Sequence, residues 1–391
     1  MGACFGKAET TAPPWAELLP EIAGLVLRRL PDHDDRLSFG AVCHEWRLAA
    51  RQHGPLPPAM PCVNLGDDDG AYQSLIGGGK VRRFPTPKGY RAGASFGGGW
   101  LFYYHEGFGG RCFLRRPFSG VANEFSGSPP DLPATTTCDI PVVVFGRCMD
   151  MKLVVCSSRL VVVLFRHPRQ CYLASLWLRP QRQLVWSFIV QPQTYVYTDI
   201  SFYDGKVFAL SCSDELFCHG VIGESNHHQK QRPIVEHVSD EARPTKFPLG
   251  DSSYLVVSSD KKKLLMVRWS GIVNVDGSPA MDMRVFEADF GTGRWLEVKD
   301  LDGQVLFLGK NCSMAFAASS MEHWGPTFRG GNRVLVLGTE WAHSLGQPIS
   351  YKGEIPSYCV YDMVSGETSL VSLDGPRYME SYTSDWFFPT S

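Results

Sequence analysis

FEADFGTGRWLEV (286–298) and VYDMVSGETSLV (360–371) carry one pattern twice. Each is an alternating strand that ends in Asp, then a short turn with Gly four residues after the Asp, then a second alternating strand. Asp289 corresponds to Asp362, and Gly293 to Gly366. The Asp can satisfy the N–H groups of the turn, and the Gly supplies a positive φ, so both stretches read as β-hairpins.

The same grammar extends outward. KVFAL (206–210), YLVVSS (254–259) and RVLVLG (333–338) are short strands separated by loops rich in Gly, Ser, Asp and Pro. PVVVFGRCMDMKLVVCSSRLVVVLF (141–165) is broken by Arg147, Asp150, Lys152 and Arg159, so it reads as buried strands and not as a membrane span. The 391 residues include 39 Gly, 27 Pro, 23 Phe, 14 Tyr and 10 Trp, many turns between aromatic-rich runs. The expected fold is therefore mainly β. A serial array of hairpins over 62–391 predicts a β-propeller, which leaves only short protected edges. About 45–50 residues per blade gives about six or seven blades.

Residues 13–53 are the one strongly helical stretch. PEIAGLVLRRL places Ile22, Leu25, Val26 and Leu30 at helical spacing, with Arg28 and Arg29 where they suit the helix dipole. Pro31 stops that helix, and DHDD offers N-caps for the next. Phe39, Val42, Cys43 and Trp46 follow at i, i+3, i+4 and i+7, with Gly40 expected to divide the stretch into two short helices. So small a unit buries three amphipathic helices poorly, and their apolar faces need a partner or the rest of the chain. Residues 54–61 hold the Pro-rich run PLPPAMP and read as a stiff linker. Residues 1–12 read as a disordered tail. Gly2 and Cys4 raise N-terminal lipidation, but the motif wants Ser or Thr where Gly6 stands.

Lys and Arg number 38 and Asp and Glu 40, for a net charge of -2. A nucleic-acid binder working by phosphate neutralisation carries a basic excess, so nucleic acid is not an expected partner. The 12 Cys form no C-x-x-C, and no apolar leader is visible. They read as reduced thiols of the cytoplasm or nucleus.

No catalytic motif holds in context. Gly93-Ala94-Ser95-Phe96-Gly97 matches a nucleophile elbow, which needs a helix straight after the Ser, but the aromatic strand GWLFYY follows. Gly77-Gly78-Gly79-Lys80 lacks the upstream Gly and the hydroxyl residue of a phosphate loop. Cys212, Cys218, His219, His227 and His228 have the wrong spacing for zinc. Lys80-Arg82-Arg83 and Lys261-Lys262-Lys263 are small basic clusters, the second at a hairpin turn. Neither cofactor nor metal is expected, and no enzyme class is selected.

The helical segment nevertheless resembles an F-box, through Leu19-Pro20, Ile22, Leu25, Leu30, Phe39, Val42-Cys43 and Trp46-Arg47. The remainder, in GWLFYY, RRPFSG, ISFYDGKVFAL, RWLEVKDLDGQVLFLG and WFFP, resembles the plant F-box proteins that carry the domain of unknown function 295, or KIB-type β-propeller. The resemblance implies a substrate receptor of an SCF-type ubiquitin ligase, which is not itself an enzyme. The F-box would dock on a Skp-type adaptor, and through it a cullin, with Leu19, Pro20, Ile22, Leu25, Leu30, Val42, Cys43 and Trp46 as adaptor contacts. The propeller would present a protein substrate that the sequence does not name. Loops 220–232 and 319–332 are the least strand-like and are the candidates for its recognition. Two other readings stand beside this one. One is a propeller scaffold that joins no ligase. The other is a propeller enzyme or ligand sensor, which needs titratable residues converging on the axial channel.

Overall fold

The computed structural model describes residues 15–65, 70–75, 81–86, 88–96, 99–105, 111–118, 136–139, 150–157, 160–167, 170–178, 184–189, 196–219, 234–235, 252–273, 279–325, 328, 330–338, 358–373 and 385–389. It divides into two compact units, with the boundary between Ala59 and Met60.

The first unit has three helices after a 3-10 turn at Trp15–Glu17: α1 (Pro20–Arg29), α2 (His33–Val42) and α3 (His44–Gln52). Pro20 opens α1, where its missing N–H costs nothing. Asp32 caps α2 by accepting from the Asp34 N–H at 2.8 Å. The break between α2 and α3 is at Cys43 and not at the expected Gly40. Cys43 is extended (φ -154°, ψ 177°), and its sulfur accepts from the Trp46 N–H at 3.4 Å. Arg36 fastens the unit, since its guanidinium donates to Leu30 O at 2.8 Å and to Pro57 O at 2.7 Å.

The second unit is built of strands. The first sheet holds β1 (Cys62–Asn64), β2 (Ala71–Ser74) and β3 (Val81–Arg83). The second holds β4 (Tyr90–Phe96), β5 (Trp100–His105), β6 (Arg111–Arg115) and β7 (Thr136–Asp139). The third holds β8 (Asp150–Ser157), β9 (Leu160–His167), β10 (Gln170–Leu178) and β11 (Leu184–Ile189). The fourth holds β12 (Tyr197–Tyr203), β13 (Lys206–Ser211) and β14 (Leu216–His219). The fifth holds β15 (Ser252–Val257), β16 (Leu264–Val273), β17 (Pro279–Asp289) and β18 (Arg294–Val298). The sixth holds β19 (Gln304–Leu308), β20 (Met314–Ala317), β21 (Arg333–Leu337), β22 (Tyr358–Asp362) and β23 (Thr368–Val371). Finally β24 (Asp385–Phe387) returns to pair with β1, Val63 opposite Trp386.

Among the described residues, five sheets are antiparallel throughout and form regular propeller blades. The sixth is mixed, and the five-blade propeller corrects the expected six or seven blades. The order of the sixth is β20-β19-β21-β22-β23, with β19 and β21 parallel. A parallel pair needs a crossover of about a dozen residues. That crossover is the segment after β20, which turns through Ala318–Ser320 and Glu322–Trp324. It buries Met321, Trp324 and Phe328 against Phe307 and Trp386. Within 319–332 these three side chains are therefore core, while Ser319, Glu322 and Gly330 are exposed. Loop 220–232 lies outside the described residues, as do Gly2, Cys4, the 77–80 Gly run, His227 and His228.

The paired hairpins have the expected chemistry. Asp289 Oδ1 accepts from the Gly291 and Thr292 N–H groups, and Asp362 Oδ1 accepts from those of Val364 and Ser365. Gly293 and Gly366 sit at φ 68° and 73°. The cores lie between consecutive sheets. In β9 the residues from Leu160 to Phe165 are all buried, without alternation, as in a strand covered on both faces. No helix of the described residues is long and apolar enough to cross a membrane.

Candidate functional site

The helical unit has a small core and leaves several large apolar residues exposed. Its core is Ala23, Leu27, Phe39 and Ala49, with Leu18, Leu30, Trp46, Ala50 and Leu56 packed around it. Gly24 faces α3, and a Cβ there would collide with the His53 imidazole. Leu19 is the N-cap of α1; at about 100° per residue, Ile22 and Leu25 fall opposite that buried side and Val26 at its edge. They are 65%, 43%, 51% and 41% exposed, an apolar stripe open to solvent.

The eight expected contacts therefore separate. Leu19, Pro20, Ile22, Leu25 and Val42 are exposed. Leu30, Cys43 and Trp46 are half-buried and serve the unit itself. Leu30 packs on the core, and Cys43 caps α3. Trp46 stacks on Phe39 with ring centroids 4.5 Å apart, while its indole N–H donates to Trp15 O at 2.9 Å. The sequence reading missed Trp15 and Val26 as exposed apolar residues of this unit. Spacing marked Val26 as part of a stripe, and that signal could have placed it on the surface.

His33 gives the unit a pH dependence. Burial, helped by Arg36, pushes its pKa down to about 4. The unfolded chain binds this proton near pH 6.5, whereas the folded unit refuses it until about pH 4. Stability is thus whole above about pH 6.5 and falls as pH drops towards about 4, by about 3 kcal/mol at the limit. Hydrogen exchange of the α2 amides should speed up across that window, and His33→Gln should flatten the response. An unchanged slope in the variant would contradict this.

A second cluster ties neighbouring sheets together. Lys152 of β8 and Asp199 of β12 form a buried ion pair at 2.5 Å, 6% and 1% exposed. Asp199 also accepts from Ile200 N and Leu255 N, both at 2.7 Å, so one carboxylate ties the third, fourth and fifth sheets. Asp385 accepts from Trp386 N and Asn311 N, joining β24 to the sixth sheet. Arg166 of β9 donates to Thr198 O, Lys310 O and Asn311 Oδ1 at 2.9, 3.0 and 3.3 Å. Cys312 lies nearby, its thiol pushed well up by burial and by Asp385, so it stays protonated.

Titratable groups therefore do meet where these sheets adjoin. They are committed to each other and to backbone. The Lys152 ammonium is sealed from solvent. Ser95 lies inside β4 with β5 following, and its hydroxyl donates to Trp386 O, so the nucleophile-elbow context is missing. Cys212 is exposed, while the neighbouring His219 is buried with Nε2 3.1 Å from Tyr197 Oη. No group of three or more His, Cys, Asp or Glu among the described residues is placed to hold a metal ion.

The family model described as the KIB1-4 beta-propeller matches residues 72–362. This chain belongs to that family. The expected KIB-type propeller is met over those residues, and the helices precede the match. The KIB1-4 propeller is a protein-interaction fold. No curated protein matches the chain. Among solved structures, a quinonprotein alcohol dehydrogenase-like protein from Bacteroides thetaiotaomicron is 9% identical with a TM-score of 0.27, covering 59% of this chain and 51% of its own. The tricorn protease is 11% identical with a TM-score of 0.33, covering 78% and 28%. A mannose phosphorylase from Leishmania mexicana, in complex with a phosphate ion, is 12% identical with a TM-score of 0.24, covering 55% and 71%. This chain thus spans about half of the first of these and little more than a quarter of the second.

Proposed function

We propose that this KIB1-4 propeller protein is the substrate-recognition subunit of an SCF-type ubiquitin ligase, acting in the cytoplasm or nucleus. The helical unit docks on a Skp-type adaptor, which links it to a cullin. The propeller holds a protein substrate for ubiquitin transfer by other subunits, and no covalent step falls to this chain. The observation that carries the reading is the exposed stripe of Leu19, Ile22, Leu25 and Val26 on a unit whose own core is four residues. Large aliphatic side chains on one helix face suit burial in a partner groove.

The test is binding of the folded chain to a Skp-type adaptor, measured by calorimetry beside a Leu19→Ala/Pro20→Ala variant. Both residues are exposed, so circular dichroism should be unchanged. Affinity should fall by about tenfold or more. No binding by the folded parent, or equal binding by the variant, would reject the ligase role and leave a scaffold that joins no ligase.

A further inference from the structure

The F-box resemblance counts Trp46 among the adaptor contacts, whereas its ring packs around the core of the helical unit. It lies on buried Phe39 with 27° between the ring planes, and its backbone N–H donates to Cys43 Sγ. Stacked on one face and tied at the backbone, the indole has a fixed direction. Its ring N–H reaches Trp15 O, 31 residues away in sequence, at 2.9 Å.

That bond falls where α1 has least support. Leu19, the N-cap of α1, makes no side-chain cap bond. Ahead of it, the turn at Trp15–Glu17 is closed by Leu18 N donating to Trp15 O at 3.3 Å. Among the described residues, the Trp46 indole is the one side chain that hydrogen-bonds this turn. Trp15 itself is 60% exposed, the largest apolar side chain left open on the helical unit. The turn runs directly into Leu19 and Pro20, both exposed. An aromatic ring held out on a pinned turn suits an interface anchor, because little freedom remains to be lost on docking.

We propose that Trp46 is a positioning residue for adaptor docking: it touches no adaptor atom, and its indole N–H fixes the turn that presents Trp15 to the adaptor. The inference rests on the receptor reading above, in which this end of α1 meets a Skp-type adaptor.

Two replacements remove the bond. Trp46→Phe keeps a ring against Phe39 and loses the N–H. Benzothienylalanine at position 46 keeps the bicyclic ring and loses the N–H alone. With no adaptor present, hydrogen exchange of the Leu18 amide should speed up in both. In calorimetry with a Skp-type adaptor, both should lose about three- to tenfold in affinity. Trp15→Ala should lose about tenfold or more. Added to Trp15→Ala, Trp46→Phe should change affinity by less than about twofold, since the ring that the bond aims is gone. Circular dichroism and denaturant melts check that each variant folds. Parent affinity in both Trp46 variants, unchanged Leu18 exchange, or additive losses in the double variant would overturn the proposal while the receptor reading stood. A folded parent that binds no adaptor would instead reject the receptor reading, and the positioning role with it.

Discussion

Lys152→Met should lower the unfolding free energy of the propeller by about 3–5 kcal/mol, because it strands a buried carboxylate. Asp199 is 1% exposed, and its remaining partners are the Ile200 and Leu255 N–H groups. Those bonds hold the carboxylate in place but do not neutralise it. Adding Asp199→Asn to the first change should recover part of the loss, since the charge goes while one amide oxygen still accepts. Denaturant melts of the single and double variants decide the matter. A loss below about 1 kcal/mol in the single variant would mean that the pair contributes little and that the sheets relax around it.

Trp386→Ala should cost a similar amount, about 3–5 kcal/mol, by a different route. Trp386 is fully buried, with its ring 5.2 Å from that of Phe307 and its indole N–H donating to Leu308 O at 2.8 Å. Truncation leaves a cavity in the core shared by the first and sixth sheets and an unmet carbonyl. Val364→Ala is the control: at 79% exposure it should change stability by no more than about 0.5 kcal/mol. Similar losses in the two variants would show that β24 does not fasten the first sheet to the sixth.

Local chemistry was legible in the sequence and long-range chemistry was not. The hairpins could be read because Asp289 with Gly293, and Asp362 with Gly366, do their work within a single turn. The Asp32 cap was legible for the same reason. The α1 stripe could be found by spacing, but which side faced inwards could not. Its buried side is Ala23, Gly24 and Leu27, of which Leu27 alone leaves a strong hydrophobic trace. Leu30 and Trp46, both named as adaptor contacts, are half-buried and pack around that core. The crossover read as an insertion because Met321, Trp324 and Phe328 are spaced for no regular element. Lys152 and Asp199 meet only through the sheet arrangement, and no short window of sequence contains both.

The pairing of β1 with β24 has a consequence for synthesis. Cys62 lies opposite Phe387, so the first sheet cannot be completed until the last strand has left the ribosome. Until then β1 waits with an open edge, beside apolar surface that Trp386 will later cover. Contacts this distant along a chain form slowly, and an unpaired edge invites neighbouring nascent chains. The interval between translating Cys62 and Phe387 is thus the period in which this protein most needs a chaperone.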